Sequence, residues 1–138
     1  VEAAKAIIEF ARAEGRTGQC TIAASFGCPS EGEVAENRVV EMAVAIAKAG
    51  PVEIALADTI GVADPLHVER LVARVKAAVA PLPVRVHFHN TRGTGLANVW
   101  AAIGAGASVI ENSGRPSEPR TKLVKAQIST TASTTPRS

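Results

Sequence analysis

The chain has 138 residues, enough for one domain around a modest core. Apolar residues make up 46% of it but aromatics only 3%, so the interior has to be filled by Ala, Val, Ile and Leu. No apolar run approaches the ~18 residues of a membrane span. Two cysteines, Cys20 and Cys28, make no disulfide framework, so a reducing, cytoplasmic compartment is expected. The net charge of +2 is uneven: residues 1–111 carry ten Lys/Arg against twelve Asp/Glu, and residues 112–138 carry five against one. A basic tail without aromatics offers no platform for base stacking, and nucleic acid is not the expected partner.

Residues 2–14 place Ala3, Ala6, Ile7, Phe10 and Ala11 on one face at helical spacing, with Gly15 as the stop. Gln19 to Phe26 reads as a strand closed by Gly27-Cys28-Pro29. Residues 32–49 predict a helix with Val39, Met42, Ala43, Ile46 and Ala47 inward, ended by Gly50-Pro51. Val52 to Ala57 is a strand. Asp64-Pro65 caps a helix striped by Val68, Leu71, Val72, Val75 and Val79, which Pro81 and Pro83 terminate. Val84 to Phe88 is a strand, Gly95 to Ala105 a helix burying Leu96, Val99, Trp100 and Ile103, and Ala107 to Ile110 the last strand.

The order α-β-α-β-α-β-α-β implies parallel strands joined by right-handed crossovers. Four strands are too few to close a barrel, which takes about 250 residues. An open doubly wound sheet and half of a barrel both fit. Either leaves edge strands near residues 19–26 and 107–110. A non-catalytic half-barrel that self-associates through those edges, as a homo-oligomer, is therefore one reading. From Asn112 the periodicity stops. Residues 112–138 hold five Ser, five Thr and three Pro, and a disordered tail is expected there.

Chemistry concentrates in three loops, each following a strand. His87-Phe88-His89-Asn90 sends both imidazoles to one face of a strand, because side chains at i and i+2 share a face. Two neutral ring nitrogens at a strand's C-terminal end suit a divalent metal; a solvated or hydrogen-bonded pair is the alternative. In Ala57-Asp58-Thr59-Ile60-Gly61, Asp58 ends a strand, where it would hold a metal, take a proton or cap the turn. Thr59 would donate to a substrate carboxylate, although Thr after Asp is commonplace in a turn. Cys28, in Phe26-Gly27-Cys28-Pro29-Ser30-Glu31-Gly32, has no basic neighbour in sequence to activate it and reads as a buried structural thiol, as does Cys20. His67 reads as solvated on a polar helix face.

Together and in this order, ASFGCPSEGEV, ALADTIGV and VHFHNTRGTGLANV resemble the ends of the fifth, sixth and seventh strands of the hydroxymethylglutaryl-CoA lyase family, metal-dependent TIM barrels. The resemblance covers residues 1 to about 111. It implies an α/β fold of parallel units forming about half of a TIM barrel. It also implies retro-Claisen cleavage of a 3-hydroxy-acyl-CoA acid to acetyl-CoA and a keto acid, assisted by Mg or Mn. Carried over, His87 and His89 are metal ligands, Asp58 is a catalytic acid/base or orienting carboxylate, and Thr59 touches the substrate carboxylate. The HFHNTRG variant is also similar to relatives acting on citramalyl-CoA. The family's first-strand Arg and Asp, its GGCP loop with the catalytic Cys and the Asn beyond it have no counterpart here. Glu111 stands where the family tends to carry Asp. The expectation is a four-strand fragment that is inactive on its own.

Overall fold

Four strands alternate with four helices as the periodicity predicts, and a fifth strand comes from the tail. The computed structural model describes residues 1–112 and 123–130. Its elements are α1 (Glu2–Ala13), β1 (Thr17–Ala23), α2 (Glu36–Ala47), β2 (Glu53–Asp58), α3 (Pro65–Val79), β3 (Val84–Phe88), α4 (Gly95–Gly104), β4 (Val109–Asn112) and β5 (Leu123–Ser129). All pairings are parallel and the sheet order is β4-β3-β2-β1-β5. The first four strands lie side by side in chain order with no reversal. A doubly wound sheet reverses at its switch point; a barrel wall does not.

Alternation along the strands sorts side chains onto two faces. Cys20 and Ile22 of β1, Ile54 and Leu56 of β2, and Val84, Val86 and Phe88 of β3 are fully buried on the helix-covered face, in one cluster with Ile8, Val39, Ile46, Val68, Leu71, Val72 and Val75. The helices meet this face through the predicted stripes: Val39, Ala43 and Ile46 of α2, and Val68, Leu71, Val72, Val75 and Val79 of α3. Asp64 caps α3 as expected, accepting from His67 N at 3.0 Å. The other face, which we call the inner face, is polar: Gln19, Glu53 and Arg85 are buried there beside Ala55 and Ala57.

Three expectations change. First, residues 123–129, expected within a disordered tail, form β5 and pair with β1 from Thr17↔Leu123 to Ala23↔Ser129. From Val124 onward, Val-Lys-Ala-Gln-Ile-Ser alternates apolar and polar residues, a short strand pattern that the surrounding Ser/Thr/Pro composition masks. Ile128 packs against the core, and the buried Thr130 hydroxyl donates to Ala24 O at 3.1 Å. Residues 113–122 and 131–138 of the expected tail lie outside the described residues. Second, the β1 edge is consequently covered, and the outer strands are β4 and β5. Third, Trp100, Leu96 and Ile103 are not core. Trp100 is 79% exposed, because α4 lies on the sheet through the small or polar residues Gly95, Asn98 and Ala102. Phe10 and Ile7 on α1 are exposed likewise. Among the described residues α1 and α4 are the outermost helices, so the outer flank of each apolar stripe faces no neighbour.

Candidate active site

The loops after β1, β2 and β3 open at one end of the sheet, and backbone-to-side-chain bonds knit them together. Ala24, just past β1, has φ +54°, a left-handed conformation costly for any residue with a Cβ. Three contacts hold it there: its N–H donates to Thr59 Oγ1 at 2.8 Å, its carbonyl accepts from Thr130, and the next residue, Ser25, donates its N–H to Ala57 O at 3.0 Å. Gly61 has φ +68°, and a Cβ there would lie 2.5 Å from Thr91 Oγ1, so the β2 and β3 loops touch only because position 61 is glycine. Asn90 Oδ1 accepts from Gly95 N at 2.9 Å, setting the start of α4.

The two histidines behave as their spacing predicts. His87 and His89 share the inner face, their rings 4.9 Å apart and their Nε2 atoms 3.2 Å apart. Phe88 points the other way, into the core against Phe26. Burial pushes the His87 pKa down, and the neighbouring His89 pushes it the same way, while Glu111 and Asp58 oppose both. His87 is thus biased toward the neutral imidazole, the form that coordinates metal.

Asp58 ends its strand at the same rim, but on the opposite face. The register pairs Ala57 with His87 and Asp58 with Phe88. Its carboxylate is fully buried and accepts from Val62 N at 2.9 Å and from Ala63 N at 3.2 Å. Asp58 therefore closes the β2–α3 turn while still bearing on the charge of His87. Thr59 is exposed, and its hydroxyl, having accepted from Ala24 N, keeps a proton to donate.

A buried ionic ladder that the loop motifs do not reveal runs beneath the histidines. Arg85, two residues before His87 on the same face, donates to Glu53 of β2 and to Glu111 of β4. The other Glu111 oxygen lies 3.8 Å from His87 Nδ1. The alternation Arg85-x-His87-x-His89 was the available signal, since a charged residue on the face shared by two histidines has to be paired in the interior.

The remaining sequence candidates take structural places. Cys28 is buried, its loop closed by backbone bonds to Gly32, with its sulfur accepting from Ser30 N at 3.4 Å. Cys20 lies in the core, where burial raises its pKa to about 11. His67 is not solvated as expected: its ring meets Phe26 edge-on at 5.4 Å, and its Nε2 is 3.8 Å from Glu36. Burial disfavours the Glu36 carboxylate, yet hydrogen bonds from Arg74 and Arg70 hold its pKa below the usual range. An open pocket of about 670 Å³ lies beside the rim, lined among others by Phe26, Cys28, Glu36, His67, Arg70 and Arg92.

Residues 1–114 match the family model described as HMGL-like. The chain belongs to the HMGL-like family. Among its relatives is the (R)-citramalyl-CoA lyase of Chloroflexus aurantiacus, 40% identical over 105 residues, which cover 72% of this chain and 33% of that enzyme. An HMG-CoA lyase of Acinetobacter baumannii, solved with coenzyme A and 3-methylmalate, is 43% identical with a TM-score of 0.64, over 67% of this chain and 30% of that one. The HMG-CoA lyase of Pseudomonas aeruginosa superposes with a TM-score of 0.72 at 32% identity, over 78% and 36%. The α/β fold is thus that of part of a TIM-barrel lyase. The chain spans about a third of the length of the curated relatives it matches. No helix among the described residues is long and apolar enough to cross a membrane.

HMGL-like proteins are metal-dependent, and the donors present fit a metal in part. Two ligands at right angles on an octahedral ion with bonds of ~2.1 Å stand about 3 Å apart, close to the 3.2 Å between the two Nε2 atoms. Among the described residues no third His, Cys, Asp or Glu joins them in a cluster able to hold an ion. The spacing of the pair matches that of two adjacent coordination positions.

Proposed function

We propose that this chain carries part of the active site of a metal-assisted carbon–carbon lyase acting on a 3-hydroxy-acyl-CoA acid, of the hydroxymethylglutaryl-CoA or citramalyl-CoA type. The convergence of His87 and His89 at Nε2 carries this reading, and the coenzyme A bound to the A. baumannii relative supports the substrate class. Such a substrate loses its hydroxyl proton, the C–O bond becomes C=O, and the bond to the thioester α-carbon breaks. The electron pair leaves on the acetyl-CoA enolate, which then takes up a proton. His87 and His89 would hold a Mg or Mn ion, whose positive charge would lower the pKa of the substrate hydroxyl.

The chain's own residues prepare the site. His87 and His89 offer their ring nitrogens. Thr59 donates its remaining proton to the substrate carboxylate from a position fixed by Ala24 N. Of the two roles the resemblance implies for Asp58, its two backbone bonds support the orienting one, in which it holds the loop that presents Thr59. We assign this machinery to residues 1–111. With two metal positions provided among the described residues, the chain by itself binds Mn weakly and turns over negligibly. Calorimetric titration with Mn and an acetyl-CoA release assay test this: tight 1:1 binding by this chain alone contradicts it.

A further inference from the structure

The two nitrogens of His87 face different things. Nε2 faces His89 Nε2 at 3.2 Å, while Nδ1 faces a Glu111 oxygen at 3.8 Å. Glu111 is not a loose surface acid. Its other oxygen accepts from Arg85, whose second guanidinium nitrogen donates to Glu53, and both Arg85 and Glu53 are buried. The carboxylate is therefore held from the far side by a guanidinium whose own position is set within β2 and β3. At 3.8 Å the carboxylate lies outside hydrogen-bond range of Nδ1, but its charge favours the ring proton on that nitrogen, and a neutral imidazole protonated on Nδ1 has its lone pair on Nε2. Carboxylates behind ligating histidines set the tautomer and ring orientation in this way, and losing one typically costs 10–100-fold in metal affinity.

We propose that Glu111 is a positioning residue: anchored directly by Arg85, it favours the Nδ1–H tautomer of His87 and so turns the Nε2 lone pair toward the space shared with His89. This rests on the reading of the histidines as ligands, but the tautomer is a property of the metal-free protein and can be read without activity. Nitrogen-15 NMR of the 138-residue chain distinguishes a bare ring nitrogen from a protonated one. The expected result is a protonated Nδ1 on His87. Glu111→Ala should lose that preference and weaken Mn²⁺ binding about tenfold or more, followed by paramagnetic broadening of the two histidine signals. Glu111→Gln retains an oxygen acceptor and should largely restore the tautomer. Glu53→Ala removes the other carboxylate from Arg85 but faces no histidine, and should change the tautomer far less.

A wild-type His87 protonated on Nε2 overturns the proposal even if the variants fail to fold. Equal effects of Glu53→Ala and Glu111→Ala also overturn it, as does binding of Mn²⁺ to Glu111→Ala with wild-type affinity; both leave the histidine ligands standing. Failure of Mn²⁺ to broaden either histidine in the wild-type chain removes the ligand reading itself, and the proposal with it.

Discussion

Asp58→Asn separates a turn anchor from a proton carrier. The carboxylate is fully buried and accepts two backbone N–H groups, from Val62 at 2.9 Å and Ala63 at 3.2 Å. Asparagine keeps one carbonyl oxygen, so one bond survives as a neutral bond. The other backbone N–H then meets an amide NH₂, leaving a donor facing a donor. Hydrogen bonds to charged groups contribute ~1.5–3 kcal/mol and an unsatisfied buried donor costs ~1–3 kcal/mol, so the substitution should cost about 2–4 kcal/mol. With a urea m-value of roughly 2 kcal/mol/M for a chain of this size, the unfolding midpoint falls by about 1–2 M. Amide exchange at Val62 and Ala63 should quicken in step. A midpoint within about 0.2 M of wild type, with unchanged exchange at those two amides, would refute the anchoring argument. Asp58 would then be left to its acid/base reading.

Cys20, whose thiol is raised from 9.0 to about 11 by burial, makes an alkaline prediction. The unfolded thiol ionises first, so the stability it confers is complete below pH 9 and declines as pH rises toward 11, by up to about 2–3 kcal/mol. Cys20→Ala should remove that slope from denaturation curves recorded between those values, and an unchanged slope would contradict the assignment. Gly61→Ala combines a φ of +68° with a Cβ 2.5 Å from Thr91 Oγ1 and should destabilise by at least ~1–2 kcal/mol. Ala24→Gly relieves φ +54°, a strain of ~1–2 kcal/mol, but adds ~0.4–1 kcal/mol of unfolded-state entropy and deletes a buried methyl of ~0.8 kcal/mol, so the three terms should nearly cancel. Thermal melts should show a clear loss for Gly61→Ala and a shift near zero for Ala24→Gly. Deleting residues 115–138 uncovers the β1 edge that β5 pairs. Concentration-dependent association should appear in sedimentation, and a truncated chain that stays monomeric at high concentration counts against the role given to β5.

Where burial is two-sided or striped, the elements were legible. The helix over Pro65–Val79 carries its cap, its proline and an unbroken valine and leucine stripe in the sequence, and the structure uses all of them. The strand Val84–Phe88 could be placed because both flanking breakers and the alternation agree. Periodicity misleads on α4. Leu96, Trp100 and Ile103 form a helical stripe, yet the helix buries the opposite, smaller line of Gly95, Asn98 and Ala102. A stripe reports that a face wants cover, not that the described chain provides it.

The site shows a second limit, set by parity. Motif reading places Asp58, His87 and His89 at one rim because each lies at a strand's end, but a strand end has two faces. The decisive fact is a one-residue difference in register, pairing Ala57 rather than Asp58 with His87, and no local sequence signal specifies register between strands about thirty residues apart. That difference separates the roles. Asp58, turned toward the core, orders its loop through two backbone bonds. Glu111 is paired with His87 on the inner face and can act on its ring directly. The acid beside the His87 ring therefore comes from the short strand β4, whose significance becomes visible only once β3 and β4 are paired.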